Sequence, residues 1–467
     1  MSRARTITML GSTLLAAVLG GQPAWAEWSA HESRAIEIFR ELVEINTTQS
    51  SGDNTRAAQA MAVHLLAAGF PPADVQVIVP APNKGNLVAR YRSHAPSKRP
   101  ILFLAHIDVV EANPEDWTVP PFKFLQKDGY FYGRGTLDDK DEAAIAVANF
   151  IKLKAEGYRP NRDIIIALTA DEEGGPVNGV QHLLAEHREL VDAEFVINEG
   201  GGGGLFDGKP LINSVQAAEK VYQSYTLEVT NRGGHSSLPR KDNAIYELMH
   251  VLHNIQAHEF PIILNEVTRA YFRQTASTLP AAQGDMIERM LADQNDAEAV
   301  AALARETSFN SRMRTTCVAT QLQAGHAENA LPQRAQATVN CRILPGTDPD
   351  EIKATLAQVI GNPAVSISPI KPANLSPPSP LTEEVMAPIT AISEEMWPGI
   401  TVVPVMSTGA TDGLFFRQAG IPVYGTAGIM VDVNDIRAHG RDERIRIQSF
   451  LEGLAYQEKL LRAYSSD

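Results

Sequence analysis

The chain has 467 residues, of which 44% are hydrophobic and 21% charged, with a formal net charge of −14. That length predicts two domains, and the composition is ordinary for a folded, water-soluble protein. No run of five or six Lys or Arg occurs, so the concentrated basic surface that a phosphate backbone needs is lacking, which argues against nucleic acid as a partner.

At the N-terminus, Arg3 and Arg5 precede an apolar stretch from Ile7 to Gly21, and Ala24-Trp25-Ala26 offers a small-residue cleavage site. These are the three regions of a secretory signal, so residues 1–26 are expected to be removed and the rest exported to a periplasm or secreted. The stretch is short and Gly-rich for a membrane span, and no later apolar segment reaches about eighteen residues, so the mature chain is expected to be soluble.

Apolar residues at helical spacing (Ile36, Ile38, Phe39, Leu42, Val43) predict a helix over 31–46, and a second is expected from Thr55 to Ala68. Runs with strand character follow at Gly85–Tyr91, Ile101–Ala105, Asp163–Ala170 and Ala193–Ile197, with an Ala-rich helical pattern at Asp141–Glu156 between them. Strands alternating with helices imply an α/β fold: a mostly parallel, helix-covered sheet whose functional residues gather past the carboxyl ends of strands.

The pattern changes near Leu211. Val221–Val229 alternates, a helix is expected over Asn243–Ala257, a hairpin over 315–342, a helix over Asp348–Gly361 and a strand over Ala364–Ile367. That order is ferredoxin-like, with a largely helical insertion at about 275–312. The Pro-rich stretch Pro369–Pro380 reads as a hinge back to the first domain. The expected division is 27–213 and 371–467 for a catalytic domain, with 214–370 an inserted α+β lid or dimerisation domain.

Cys317 and Cys341 lie in the two arms of the 315–342 hairpin, and their midpoint is Asn329 in the turn. That register places them opposite each other; a disulfide and two free thiols on neighbouring strands both satisfy it.

Five acidic or histidine positions end apolar runs or sit in Gly-rich turns. They are His106 in L-A-H-I-D, Asp138 in G-R-G-T-L-D-D-K-D, Glu173 in T-A-D-E-E-G-G, Glu199 in V-I-N-E-G-G-G and His439 in R-A-H-G-R-D-E-R. Imidazole and carboxylate together suit zinc, and three ligands per ion with one shared carboxylate make a two-metal hydrolytic site. His106 and Asp108, two apart at a strand end, face the same way, as a ligand and the group that orients it. A rival reading, the near phosphate loop Gly203–Lys209, fails because Pro210 stands where Ser or Thr would bind magnesium.

H-x-D, G-R-G-x-x-D-D-K, D-E-E-G, N-E-G-G, G-G-H-S-S and a late A-H-G occur here in one order. In this the chain resembles the zinc hydrolase family of glutamate carboxypeptidase, aminoacylase, acetylornithine deacetylase and succinyl-diaminopimelate desuccinylase, and most of all its carboxypeptidase S-like branch. The resemblance implies two zinc ions, with cobalt or manganese compatible with the same donors. It implies Asp138 as the shared ligand, Glu173 and His439 for one ion, His106 and Glu199 for the other, and Glu172 as general base. It also implies His235 as an oxyanion donor, supplied by the partner subunit in dimeric relatives. Asn329, Arg342, Gly409 and Thr411 would contact substrate, with Arg342 suited to a terminal carboxylate. The expected substrates are peptides or N-acyl amino acids, and a homodimer is compatible. One departure is Arg441-Asp442 where relatives often carry Pro-Asn. His258 and His326 lack any such context.

Overall fold

The computed structural model describes residues 28–466; the expected signal segment lies outside them. Among the described residues, no helix is long and apolar enough to cross a membrane.

A ten-stranded sheet forms the frame. At its centre, Ile101–His106 lies parallel to both Ile164–Thr169 and Val196–Asn198, and Val423–Gly425 runs parallel to Val196–Asn198. These strands are buried on both faces, as parallel strands covered by helices must be. Antiparallel pairs lie to either side of this centre, among them Val75–Ile78 with Asn86–Tyr91 at one end, and Gly203–Phe206 with Lys209–Glu219; at the other end Met430–Asp432 runs parallel to Gly203–Phe206. Gly203–Phe206 and Lys209–Glu219 form a hairpin, so the Gly203–Lys209 segment has no strand–loop–helix geometry for phosphate. Helices Ala30–Glu44, Asn54–Ala67, Lys140–Ala155 and Ile447–Ser465 pack on one face around Phe39, Phe131, Phe150 and Phe450. Ala-rich Lys140–Ala155 is buried almost throughout because its small side chains let it lie close to the strands.

The second sheet has the order Thr316–Ala324, Arg334–Ile343, Val221–Thr230, Ser366–Pro369, every pair antiparallel. With helices Ala244–Ala257 and Pro349–Ile360 on one face, it is the ferredoxin-like unit expected from the element order. Cys317 pairs with Cys341 across the strands, and the two are joined by a disulfide.

Two features differ from the sequence expectation. The strand Lys209–Glu219 stays in the large sheet to its end, so the chain crosses at Lys220 rather than at 213/214. The helical insertion (Glu266–Ala276, Ala281–Ala292, Ala297–Leu303, Thr307–Met313) packs through Phe272, Ile287, Met290 and Met313 against Val403 and Val405 of the strand Thr401–Ser407. It therefore covers an edge of the large sheet and has a core separate from that of the small unit. Amphipathic periodicity reveals an apolar face but does not name the surface that receives it.

Candidate metal centre

The centre lies past the carboxyl ends of the parallel strands. His106 is the last residue of its strand and is buried. Asp138 reaches it from the turn before helix Lys140–Ala155, in which the Asp138–Asp139 peptide is cis. The geometry around Asp138 is divided: Oδ1 lies 2.9 Å from His106 Nε2, and Oδ2 lies 3.0 Å from His439 Nε2. On the His439 side, Glu173 Oε1 is 2.8 Å from the same imidazole nitrogen. On the other, Glu199 Oε1 is 3.9 Å from His106 Nε2. Two groups offer donor atoms within 4.8 Å of one another: His106, Asp138 and Glu173, and His106, Glu172 and Glu199.

The electrostatics follow from packing acids and imidazoles together. Burial works to raise the Asp138 carboxyl, but His106 and His439 hold it below the usual carboxylate range. Burial drives Glu199 well above that range despite His106, and neighbouring acids add to the effect. Glu172 is pushed up to about 8, first by burial and then by Asp412, Glu173 and Asp108, against the opposing pull of His106. His439 is raised to about 10 by its hydrogen bonds to Asp138 and Glu173. A cluster of this make-up fits a cation: its donors converge, and its acids repel one another through a poorly solvated space.

Neighbouring groups fix these side chains. The carboxylate of Asp108 accepts from the backbone N–H groups of Glu172 (3.1 Å) and Glu173 (3.0 Å), while His106 Nδ1 is 3.1 Å from the Asp108 carbonyl. Asp108 thus shapes the turn that presents both glutamates as well as facing the imidazole. His439 sits at φ 61°, an uncommon left-handed conformation for a residue other than glycine, of the kind that collects at functional sites. Glycines serve one close approach here: a Cβ on Gly201 would stand 1.9 Å from the Gly425 carbonyl oxygen, so the backbone after Glu199 passes the neighbouring strand only because it is bare.

Sequence reading did not single out Arg134 and Glu443. Glu443 is fully buried, pairs with Arg134 at 2.5 Å and accepts from the N–H groups of Gly135 and Leu137. Arg134 also donates to the His439 carbonyl at 3.4 Å. The pair therefore ties the Asp138 turn to the His439 loop. Its signal was the Arg inside G-R-G and the Glu inside R-D-E-R, two residues that look like exposed charge when read singly.

The remaining candidates are dispersed. Thr411 is buried and donates to Glu219 Oε1 at 2.6 Å, while Gly409 N–H donates to Ser407 Oγ. Arg342 donates to the Thr408 carbonyl at 3.2 Å, so it borders the same loop from the small unit. His235 and Asn329 come together, since Ser236 N–H donates to the Asn329 carbonyl and His235 pairs with Ala330. His235 is exposed and its ring meets Ser237, while no hydrogen bond or ion pair among the described residues joins it to the cluster.

Fold and cluster together define a hydrolase that works with metal ions. The model of peptidase family M20/M25/M40 matches residues 102–463, and the chain belongs to that family. It is 30% identical to the human N-fatty-acyl-amino acid synthase/hydrolase PM20D1 over 80% of this chain and 75% of the human protein. It is 28% identical to a probable carboxypeptidase S-like 2 of Dictyostelium discoideum, over 81% of this chain and 74% of that protein. In fold it is similar to an M20 family metallo-carboxypeptidase of Sulfolobus solfataricus, with a TM-score of 0.65, 19% identity and coverage of 92% of this chain and 99% of the other.

Proposed function

We propose that the chain is an exported dizinc amidohydrolase of carboxypeptidase or dipeptidase type that cleaves an amide next to a free carboxylate. The observation that carries this reading is the division of Asp138, whose two oxygens each face a different imidazole. Asp138, Glu173 and His439 would hold one ion, and His106, Asp138 and Glu199 the other. When bound, the ions supply Lewis acidity for the amide carbonyl and lower the pKa of a nearby water. Glu172, at the edge of the cluster, takes the proton from the attacking water and delivers it to the leaving amine. A carboxyl pushed upward by burial is suited to hold that proton between the two transfers. Arg342 receives the substrate carboxylate as a planar fork, and Gly409 and Thr411 shape the loop beside it. His235, exposed and without a hydrogen bond to the cluster among the described residues, stabilises the oxyanion after the small unit swings or as a contribution from a second subunit of a homodimer.

A second reading, hydrolysis of N-acyl amino acids, is favoured by the name of the human relative. The same groups carry it out, with a different acyl pocket. Metal analysis coupled to hydrolysis of a panel of dipeptides and N-acyl amino acids tests both. Two ions per chain with cleavage of carboxylate-bearing amides is the expected result. A metal-free protein that hydrolyses them overturns the reading.

A further inference from the structure

We propose that the concave surface around Lys154 and Arg159 is a phosphate-binding site, remote from the metal centre.

The cavity has a volume of about 590 Å³ and lies at the other end of the parallel strands from that centre. Tyr91, on its wall, pairs with Ile164 at the start of the strand Ile164–Thr169, whereas His106 pairs with Thr169 at its finish. The length of that strand, roughly 17 Å, separates the two levels. Arg90, Arg92 and His94 border the cavity from one segment. Lys154 and Arg159 border it from the end of helix Lys140–Ala155 and the turn that follows. Among the described residues on its lining, the one acid is Asp74, and Arg92 Nε pairs with it at 2.6 Å. Arg90 is paired with Asp163 at 3.1 Å. Lys154 and Arg159 are left: among the described residues, neither forms a hydrogen bond or an ion pair.

Helix geometry alone does not account for Lys154. A cation in the last turn suits the partial negative charge of a helix end, but Lys152 already stands there, matched by Glu156 at 3.0 Å and Glu458 at 2.5 Å. Lys154 lies instead over the rings of Phe70 and Tyr91, 5.2 and 6.0 Å from their centroids. Those rings attract the ammonium without cancelling its charge. They are themselves fixed, because the Tyr91 hydroxyl donates to the Leu153 and Tyr158 carbonyls and Phe70 stacks on Phe150 at 5.8 Å. The ammonium is therefore held at the cavity with its charge uncompensated, next to the exposed guanidinium of Arg159. In a chain of net charge −14, such a local excess of positive charge draws an anion. A phosphomonoester brings about −1.5 to −2 charges and three terminal oxygens, enough to meet the Arg159 fork and the Lys154 ammonium together. A carboxylate brings a single charge and leaves one of the two cations unmatched. The same chemistry is offered by a free phosphomonoester and by the headgroup of a phospholipid. In either case the metal centre, at the far end of the strands, stays open.

The test uses the metal-loaded full chain, with calorimetry on glycerol phosphate and sedimentation with phosphatidylcholine vesicles that contain or lack phosphatidylglycerol. Phosphate oxygens also suit the metal centre, so the site is read as the part of the binding that its own residues control. Lys154→Gln and Arg159→Gln should each weaken glycerol phosphate binding about tenfold, and the double variant should remove that component. Lys152→Gln, close in sequence but with its charge already matched, should leave the affinity at the wild-type value. Arg159 is exposed, so metal content and melting temperature stay at wild-type values in its variant, and folding does not confound the result. Retention on phosphatidylglycerol vesicles that the double variant loses identifies a lipid headgroup as the source. Glycerol phosphate binding without retention identifies a free phosphomonoester. The proposal is overturned if neither probe binds, or if wild type and double variant bind alike. It is equally overturned if Lys152→Gln weakens binding as much as Lys154→Gln, because the effect is then one of overall charge.

Discussion

The two sheets distribute their candidate residues in opposite ways. In the large unit, His106, Asp138, Glu173 and Glu199 come from different segments yet converge within hydrogen-bonding distance or slightly beyond, His106 buried and the three carboxylates half-buried. In the small unit, His235 is exposed, and among the described residues the hydrogen bond from Arg342 to the large unit goes to the Thr408 carbonyl. The physical difference is that parallel strands have a shared carboxyl edge at which side chains meet, whereas an antiparallel sheet with helices on one face has no such focus. A preorganised centre on one unit and recognition groups on the other is an arrangement that permits closure around substrate.

The largest expected effect falls on the side of the metal centre. Asp138→Ala removes the side chain whose two oxygens face the two imidazoles, so metal content and turnover are both lost. Elemental analysis showing two ions in that variant would remove Asp138 from its bridging role. Next in size is Glu172→Gln, which should retain both ions while kcat falls by about 10²–10⁴-fold. Full turnover by the metal-replete variant sinks the general-base assignment. The pair of results matters more than either alone, because only the first should change metal content.

A test of the small unit sharpens the contrast. If His235 serves a neighbouring active site, mixing inactive His235→Ala with inactive Glu172→Ala protein under subunit exchange restores activity, since hybrid dimers contain one intact site. Activity that stays absent after exchange is demonstrated assigns His235 to its own chain or to no catalytic role. The edge strand Thr316–Ala324 is exposed along most of its length and leaves the small sheet open to pairing.

The same contrast governs what the sequence revealed. His106 and Glu199 were legible because they follow strand-like apolar runs by one and two residues, and the fold brings such ends to one edge. Helix Lys140–Ala155 was legible from its Ala-rich pattern to within a residue at each end. The helical insertion was legible as helices but not as a cover for the strand Thr401–Ser407, because its partner lies far along the chain. Arg134 with Glu443, and Arg417 with Glu219, escaped for the same reason: a buried ion pair resembles two surface charges until the fold joins them. The Cys317–Cys341 register was readable from the symmetric spacing about Asn329, whereas bonding itself required the strand geometry.

The smallest expected effect returns to that disulfide. It closes a sequence separation of 24 residues between two strands of the small sheet, and in the chain-entropy account a loop of that size contributes about 3 kcal/mol. Cys341 is fully buried against the core formed by Val221, Tyr225 and Val339, so the replacement least disturbing to packing is Ala at both positions. The double variant should show an earlier melting step confined to the small unit, while the metal content of the large one stays at its wild-type value. Differential scanning calorimetry together with metal analysis reads both quantities on one preparation. If the loss of the bond lowered metal content as well, the two sheets would be one cooperative unit, and the division between a preorganised centre and a separately stable recognition surface would not hold.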